Sequence, residues 1–179
     1  MSLNRNIQAV YKIAEFLSSQ EECNTCNLCE KNVGLVYLLD HEREKISELN
    51  LKISSTSNGT DFLSRTEEGW CSAFDHTKNR CTIYAKRPLC CRIYPFDLMH
   101  FDREFWWVIF YECPIANRFY KEKHEDVLIA FTYALEREMG EMLIAEFVRE
   151  DSISQHIDAF TGEIPHVKRL RKFGSPPIF

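Results

Sequence analysis

The sequence contains little glycine and proline, six residues of each among 179, and it lacks long apolar runs. These low counts exclude a collagen-like or low-complexity chain, and a hydrophobic content of 45% excludes an intrinsically disordered one. The longest apolar stretch, residues 105–111, is about a third of the ~20 residues that a membrane-spanning helix needs. We therefore expect a single domain over residues 1–179, because one core commonly contains about 100–200 residues.

Basic residues are outnumbered, with 22 lysines and arginines against 27 aspartates and glutamates. A formal net charge of −5 argues against nucleic-acid binding through backbone electrostatics. The N-terminal residues lack the basic, apolar and small-residue order of a signal peptide. We therefore expect a cytoplasmic protein with neither a membrane nor a nucleic-acid partner.

Cysteine is unusually frequent, with eight residues among 179. Thiols stay reduced in the cytoplasm and structural disulfides are rare there, so a cysteine cluster more often binds metal. In chain order the cysteines are Cys23, Cys26, Cys29, Cys71, Cys81, Cys90, Cys91 and Cys113. The first three form a Cys-x-x-Cys-x-x-Cys motif that is similar to iron–sulfur loops. A tetrahedral zinc site usually joins one Cys-x-x-Cys pair to a distant pair, so iron–sulfur and zinc both stay open.

Hydrophobic periodicity predicts a helix at residues 5–19 and another at about residues 122–150, with Gly140 as a break in the second. Asp40 should cap a further helix that contains Arg43 and Glu44 and runs to about Leu49. The remaining predictions are strands at residues 33–39 and 82–84, a hairpin of residues 96–99 and 104–111, loops at residues 21–30 and 54–61, and a solvated basic tail at residues 161–179. The predicted fold is a single small α+β domain with flanking helices, a short antiparallel β element and loops tied by cysteine–metal bonds.

A second motif, CTIYAKRPLCCRIYP, occupies residues 81–95. It resembles the C-x-I-Y-x-x-R-P-x-x-C-R-x-[YF]-P signature of the zinc- or iron-chelating domain family, also known as YkgJ-type or CxxCxxCC cysteine-cluster proteins. The three-cysteine motif, the segment GWCSAF at residues 69–74, and Cys113 with its following proline keep the family's order, so the resemblance covers about residues 21–118. The resemblance implies a cysteine-ligated metal centre in a family that mostly lacks an assigned reaction. A related cysteine motif occurs in flagellin lysine-N-methylases.

The resemblance also implies a set of metal ligands. The positions that match are Cys23, Cys26, Cys29, Cys71, Cys81, Cys91 and Cys113. Glu30 stands where the family has a fourth cysteine, and a carboxylate is a harder ligand than a thiolate. Cys90 is an additional thiol at a position that the family pattern leaves open. Glu30 and Cys90 are therefore further candidate ligands.

Two arginines and one histidine lie close in sequence to these ligands. Arg87 and Arg92 could offset the charge of about −2 on a four-thiolate centre, and ordinary surface contacts are the competing interpretation. His76 is the one histidine considered as a ligand, although a solvated loop histidine is the simpler interpretation. Its neighbour Asp75 is most simply a turn residue.

Three functional hypotheses are open at this point, and the sequence does not decide whether the chain is an enzyme. The first is a redox or accessory protein with an iron–sulfur centre, which the three-cysteine motif favours. The second is a structural zinc module that presents a surface to a protein partner, and Glu30 favours such a mononuclear ion. The third is a protein-modifying enzyme. In each case metal binding should contribute much of the order of residues 21–30 and 69–95, which contain few apolar residues near the cysteines.

Overall fold

The computed structural model describes residue 15 and residues 26–31, 36–57, 59–101, 103–122, 125–149 and 167–176. The chain forms two compact units, which we call the cysteine unit (Glu21–Arg92) and the sheet–helix unit (Met1–Gln20 with Ile93–Phe179). Helices and short antiparallel strands make up the described elements, so the predicted α+β class is confirmed. Apart from Glu15, the predicted helix at residues 5–19 lies outside the described residues.

Short elements follow one another from residue 26 to residue 93. They are α1 (Leu28–Lys31), β1 (Val36–Tyr37), α2 (Asp40–Ser47), β2 (Ile53–Ser55), β3 (Asp61–Leu63), β4 (Phe74–Asp75), β5 (Arg80–Cys81), a 3₁₀ turn (Tyr84–Lys86) and α3 (Leu89–Ile93). Strand β3 is the central strand of an antiparallel sheet with β1 and β2, and β4 pairs with β5 in a separate hairpin. One apolar cluster lies among these elements, and its buried members are Val36, Leu38, Ile46, Leu63, Cys71, Ala73 and Ile83.

Several local predictions for this region need correction. The predicted strand at residues 82–84 is wrong, because the strand is β5 and Tyr84 begins the 3₁₀ turn. Residues 28–31 are helical rather than part of a loop. The predicted loop at residues 54–61 is too long, since its ends belong to the paired strands β2 and β3. Helix α2 contains Arg43 and Glu44 as predicted, but the predicted cap is wrong, because Leu39 is the N-cap and Asp40 is the first helical residue. The helix ends at Ser47 rather than at about Leu49.

The sheet–helix unit contains longer elements. They are β6 (Phe96–Phe101), β7 (Glu104–Phe110), α4 (Pro114–Lys121), α5 (Glu125–Arg149) and β8 (Val167–Lys172). Strand β7 lies between β6 and β8 in an antiparallel sheet, and the rings of Phe96 and Phe131 stack 4.9 Å apart between β6 and α5. The predicted hairpin is therefore confirmed. Gly140 interrupts α5 with a φ of 67° and a ψ of 170°, a conformation that glycine adopts readily, so the predicted break is also confirmed.

Two elements of this unit are absent from the predicted pattern. Helix α4 has Pro114 in its first turn, a common position because proline's fixed φ suits the start of a helix. The solvated basic tail is wrong for residues 167–172, because these residues form β8 and pair with β7. Arg171 on this strand is only 6% exposed. No helix within the described residues is both long and apolar enough to cross a membrane.

Strand β6 contains a carboxylate opposite a fully buried neighbour. Asp97 pairs in register with Val108, which has no exposed surface. Burial raises the pKa of Asp97 from 3.8 to about 6, although the backbone N–H of Leu98 donates to its Oδ1 at 2.8 Å and opposes the increase. The native state therefore holds the proton more tightly than the unfolded state does. The stability that the neutral carboxyl provides is complete below pH 3.8 and is lost as the pH rises through about 6.

We expect Asp97→Asn to increase the free energy of unfolding by about 2–3 kcal/mol at about pH 8 and by little at about pH 3. Asparagine removes the charge of this half-buried carboxylate and keeps an oxygen that can accept the Leu98 N–H. Urea unfolding at both pH values measures the effect. Asp126→Asn, which changes an exposed carboxylate in the first turn of α5, serves as the control. An equal gain at both pH values would contradict the prediction.

Candidate metal centre

The described cysteines are unevenly divided between the two units. Those in the cysteine unit are Cys26, Cys29, Cys71, Cys81, Cys90 and Cys91. Cys113 belongs to the sheet–helix unit, where it is the buried N-cap residue of α4. Cys23 lies outside the described residues. The cysteine unit is therefore the part of the chain in which a centre can be built from described thiols.

The β4–β5 hairpin positions Cys71 and Cys81. The backbone N–H of Phe74 donates to the carbonyl of Cys71 at 3.0 Å, and Phe74 pairs in register with Cys81. Both cysteines therefore lie at the open end of the hairpin, next to the same residue. Cys71 is a buried member of the apolar cluster, and the half-buried Cys81 packs against it.

Helix α3 contributes two adjacent thiols, Cys90 and Cys91, and both pack against the same apolar cluster. The Sγ of Cys90 donates to the carbonyl of Tyr37 at 3.3 Å. A hydrogen bond with Cys90, followed in importance by burial and the charge of Cys90, raises the pKa of Cys91 well above its ordinary value. Cys91 therefore keeps its proton when no cation is present. A bound metal ion would favour the thiolate and release that proton.

The two arginines of the second motif contact the backbone that leads into α3. The guanidinium of Arg87 lies 3.7 Å from the ring centre of Tyr84, and its Nε donates to the Tyr84 carbonyl at 3.0 Å. Its positive charge partly opposes the increase in the pKa of Cys91 that the Cys90 hydrogen bond and burial cause, which is the direction expected of a charge that offsets thiolates. The Nε of Arg92 donates to the Arg87 carbonyl at 2.8 Å, so Arg92 fixes the backbone that presents Arg87.

A hydrogen bond between side chains joins the first cysteine motif to the hairpin. The side-chain amide of Asn27 donates to Oδ1 of Asn79 at 3.1 Å, and Asn79 lies in the turn between β4 and β5. Cys26 and Cys29, on either side of Asn27, are half-buried. Glu30 is in α1, and its side chain lies outside the described part of the chain.

The family model of the CxxCxxCC proteins, described as "Putative zinc- or iron-chelating domain", matches residues 22–124. The chain belongs to this family. The match covers more than half of the 179 residues and includes all eight cysteines. No curated protein and no solved structure gives a significant match to the chain. Membership of a zinc- or iron-chelating family supports metal binding, and the resemblance stated from the two motifs is confirmed.

The thiols fit the group that the CxxCxxCC family implies, because thiolates are preferred ligands of both zinc and iron–sulfur clusters. Cys71, Cys81, Cys90 and Cys91 contact one apolar cluster, which would limit the access of water to a bound ion. Within the described residues, however, no three histidine, cysteine, aspartate or glutamate side chains are close enough together to hold a metal ion. The described side chains alone therefore do not form a complete metal site.

His76 lies in the turn of the β4–β5 hairpin, and Asp75 is the last residue of β4, just before that turn. The exposed ring of His76 packs edge-on against Trp70 and Phe74, with 5.0 Å between ring centres in each case. Asp75 was predicted as a turn residue, but it is the last residue of β4, and its Oδ1 accepts the backbone N–H of Thr77 in the turn that follows at 2.9 Å. Hydrogen bonds from Thr77 and Lys78 lower the pKa of Asp75 to about 2. Packing thus accounts for His76, and turn formation accounts for Asp75.

Two adjacent residues of α2, His41 and Glu42, have buried polar groups that the sequence does not indicate. Glu42 is only 4% exposed and its carboxylate accepts backbone N–H groups of Leu39 and Leu89. Both ring nitrogens of His41 are buried, and neither has a hydrogen-bond partner among the described residues. Burial, followed by the charge of Lys45, lowers the pKa of His41. An acidic residue three positions after an N-cap is a sequence signal for the Leu39 contact, but no pattern indicates the contact with Leu89.

Proposed function

We propose that the cysteine unit of this CxxCxxCC-family chain holds a cysteine-ligated metal centre, either an iron–sulfur cluster or a zinc ion. The observation that carries the proposal is that Cys71 and Cys81, at the β4–β5 hairpin, and Cys90 and Cys91, in α3, pack in or against one apolar cluster. Such an environment suits a metal ion because it excludes water and competing ligands. Cys90 is included among the proposed ligands because it is next to Cys91 in α3 and packs against the same apolar cluster.

The proposed ligands are those of the family pattern with Cys90 added. Those in the cysteine unit are Cys23, Cys26, Cys29, Cys71, Cys81, Cys90 and Cys91, with Glu30 as a further candidate. Cys113, in the sheet–helix unit, is proposed as a ligand from the family pattern alone. Arg87 is proposed to offset the negative charge of the thiolates, since its charge favours ionisation of Cys91. Arg92 is proposed to hold Arg87 in place through the backbone.

The three-cysteine motif favours an iron–sulfur cluster, which would supply electron transfer in a redox or accessory role. Glu30 favours a single zinc ion, which would order the unit for contact with a protein partner. A reducing compartment such as the cytoplasm suits either centre, because the ligands must be thiolates rather than disulfides.

The test is metal analysis and an absorption spectrum of protein purified without oxygen. An iron–sulfur cluster predicts iron, sulfide and absorbance near ~400 nm, and a zinc centre predicts stoichiometric zinc without colour. Cys71→Ser and Cys91→Ser are each expected to reduce metal affinity by about tenfold or more, because a hydroxyl replaces a thiolate ligand.

Ser72→Ala is the matched control for Cys71→Ser. Ser72 is the next residue, and its buried hydroxyl has no hydrogen-bond partner among the described residues, so its removal should leave metal content unchanged. Wild-type protein without stoichiometric zinc or iron would disprove the proposal. Unchanged affinity in the Cys71→Ser and Cys91→Ser variants would show that the centre lies elsewhere in the chain.

A further inference from the structure

We propose that Glu42 is a positioning residue of the metal centre, because its buried carboxylate joins α2 to α3 and thereby fixes Cys90 and Cys91. Glu42 is not among the ligands proposed above, and its role would be exerted through hydrogen bonds to backbone. The link to metal affinity rests on the proposed function, whereas the link to the position of the thiols does not.

The carboxylate of Glu42 bonds to the first turns of two helices. Its Oε2 accepts the N–H of Leu39, the N-cap of α2, at 3.1 Å. Its Oε1 accepts the N–H of Leu89, the first residue of α3, at 2.7 Å. N–H groups at these positions have no acceptor within their own helix, so they need one from elsewhere. With Leu89 1% exposed and Leu39 3% exposed, water cannot readily replace the carboxylate.

Helix α3 depends on such contacts because it contains only five residues. A helix this short is unstable by itself, and its position must come from the structure around it. A second hydrogen bond also joins α3 to the segment around α2. The Sγ of Cys90 donates to the carbonyl of Tyr37, which lies just before α2 in the chain. The hydrogen bonds of Leu89 with Glu42 and of Cys90 with Tyr37 thus hold α3 against the segment containing α2. Cys90 and Cys91 directly follow Leu89, so the contact of Leu89 with Glu42 also fixes their position.

The substitution Glu42→Ala removes both acceptors, and Glu42→Gln removes the charge but keeps one carbonyl oxygen. Glu44→Ala is the control, since Glu44 is an exposed residue of the same helix. The measurement is the rate at which N-ethylmaleimide alkylates each cysteine of the metal-free protein, followed by peptide mass spectrometry.

We expect alkylation of Cys90 to accelerate about tenfold or more in Glu42→Ala, less in Glu42→Gln, and not at all in Glu44→Ala. Cys71, which is held by the β4–β5 hairpin, should change by less than about twofold. An unchanged rate at Cys90 would overturn the proposal. Equal acceleration at Cys71 and Cys90 would also overturn it, because that result indicates general destabilisation rather than release of α3.

Zinc affinity, measured by competition with a chromophoric chelator, provides the second readout. Glu42→Ala should weaken binding by about 10- to 100-fold, the range found for residues that orient metal ligands, and Glu44→Ala should not. Wild-type affinity in Glu42→Ala would overturn the positioning role at the centre. If the wild-type protein takes up neither zinc nor iron, the proposed function fails, and the alkylation rates still decide whether Glu42 positions the thiols.

Discussion

Removal of the metal is expected to reduce the protection of the cysteine unit against hydrogen exchange by about tenfold or more, with little change in the sheet–helix unit. The described elements of the cysteine unit are short, and its longest helix has eight residues. Units with so little regular structure commonly draw much of their folding free energy from a bound metal. In the sheet–helix unit, by contrast, long paired strands and α5 form a core without any metal ligand in the sheet.

The experiment compares hydrogen exchange, followed by peptide mass spectrometry, in the metal-loaded protein and after chelation. Peptides covering residues 53–63 and 71–92 should lose protection, and peptides covering residues 96–110 provide an internal control from the same sample. Cys26→Ser should reproduce part of the effect, because it removes one of the proposed thiolates. If metal content and thermal stability are unchanged in Cys26→Ser, the assignment of Cys26 as a ligand is wrong.

The elements that could be predicted from the sequence are those with strong local patterns. The β6–β7 hairpin has a run of aromatic and β-branched residues, and α5 has apolar positions at helical spacing with a glycine at the interruption. Strand β8 could not be predicted in the same way. Its sequence, Val-Lys-Arg-Leu-Arg-Lys, is typical of a solvated tail, and it becomes a strand because β7 offers a free edge and Glu136 accepts Arg171.

The candidate site, like the fold, could be predicted from the sequence only where the signal is local. The two cysteine motifs indicate metal ligands, because spacing in sequence determines which thiols can converge. Glu42 was missed because its contact with Leu89 joins residues far apart in sequence. The adjacency of Cys90 and Cys91 is visible in the sequence, but their common packing with Cys71 and Cys81 depends on how the hairpin and α3 fold.

The second large effect is expected at Glu136, on α5. Its Oε2 accepts the indole N–H of Trp107 at 2.9 Å and the guanidinium of Arg171. Its Oε1 accepts the backbone N–H of Gly174 at 3.2 Å. Arg171, whose side chain is 5% exposed, also donates from its Nε to the fully buried hydroxyl of Thr132 at 2.7 Å. One carboxylate therefore joins α5 to β7, to β8 and to the turn that follows β8.

We expect Glu136→Ala to decrease the free energy of unfolding by about 3–5 kcal/mol, because it leaves the guanidinium of Arg171 buried without its counter-charge. The indole N–H of Trp107 loses its acceptor as well, and a buried donor without a partner is unfavourable by about 1–3 kcal/mol. Urea unfolding monitored by tryptophan fluorescence measures the change. Glu136→Gln, which keeps an acceptor oxygen, should be less destabilising and serves if the alanine variant does not fold.

Glu138→Ala distinguishes a buried ion pair from an exposed one on the same helix. Glu138 pairs with Arg137 at 3.0 Å, but the Arg137 side chain is 75% exposed, so the expected loss is below about 1 kcal/mol. Removing both members of the buried pair in Glu136→Leu with Arg171→Met should be less destabilising than Glu136→Ala alone, since no unpaired charge remains. If Glu136→Ala and Glu138→Ala lower the free energy of unfolding by the same amount, the buried ion pair of Glu136 with Arg171 contributes no more to stability than the exposed pair. In that case β8 would be held mainly by its backbone hydrogen bonds to β7.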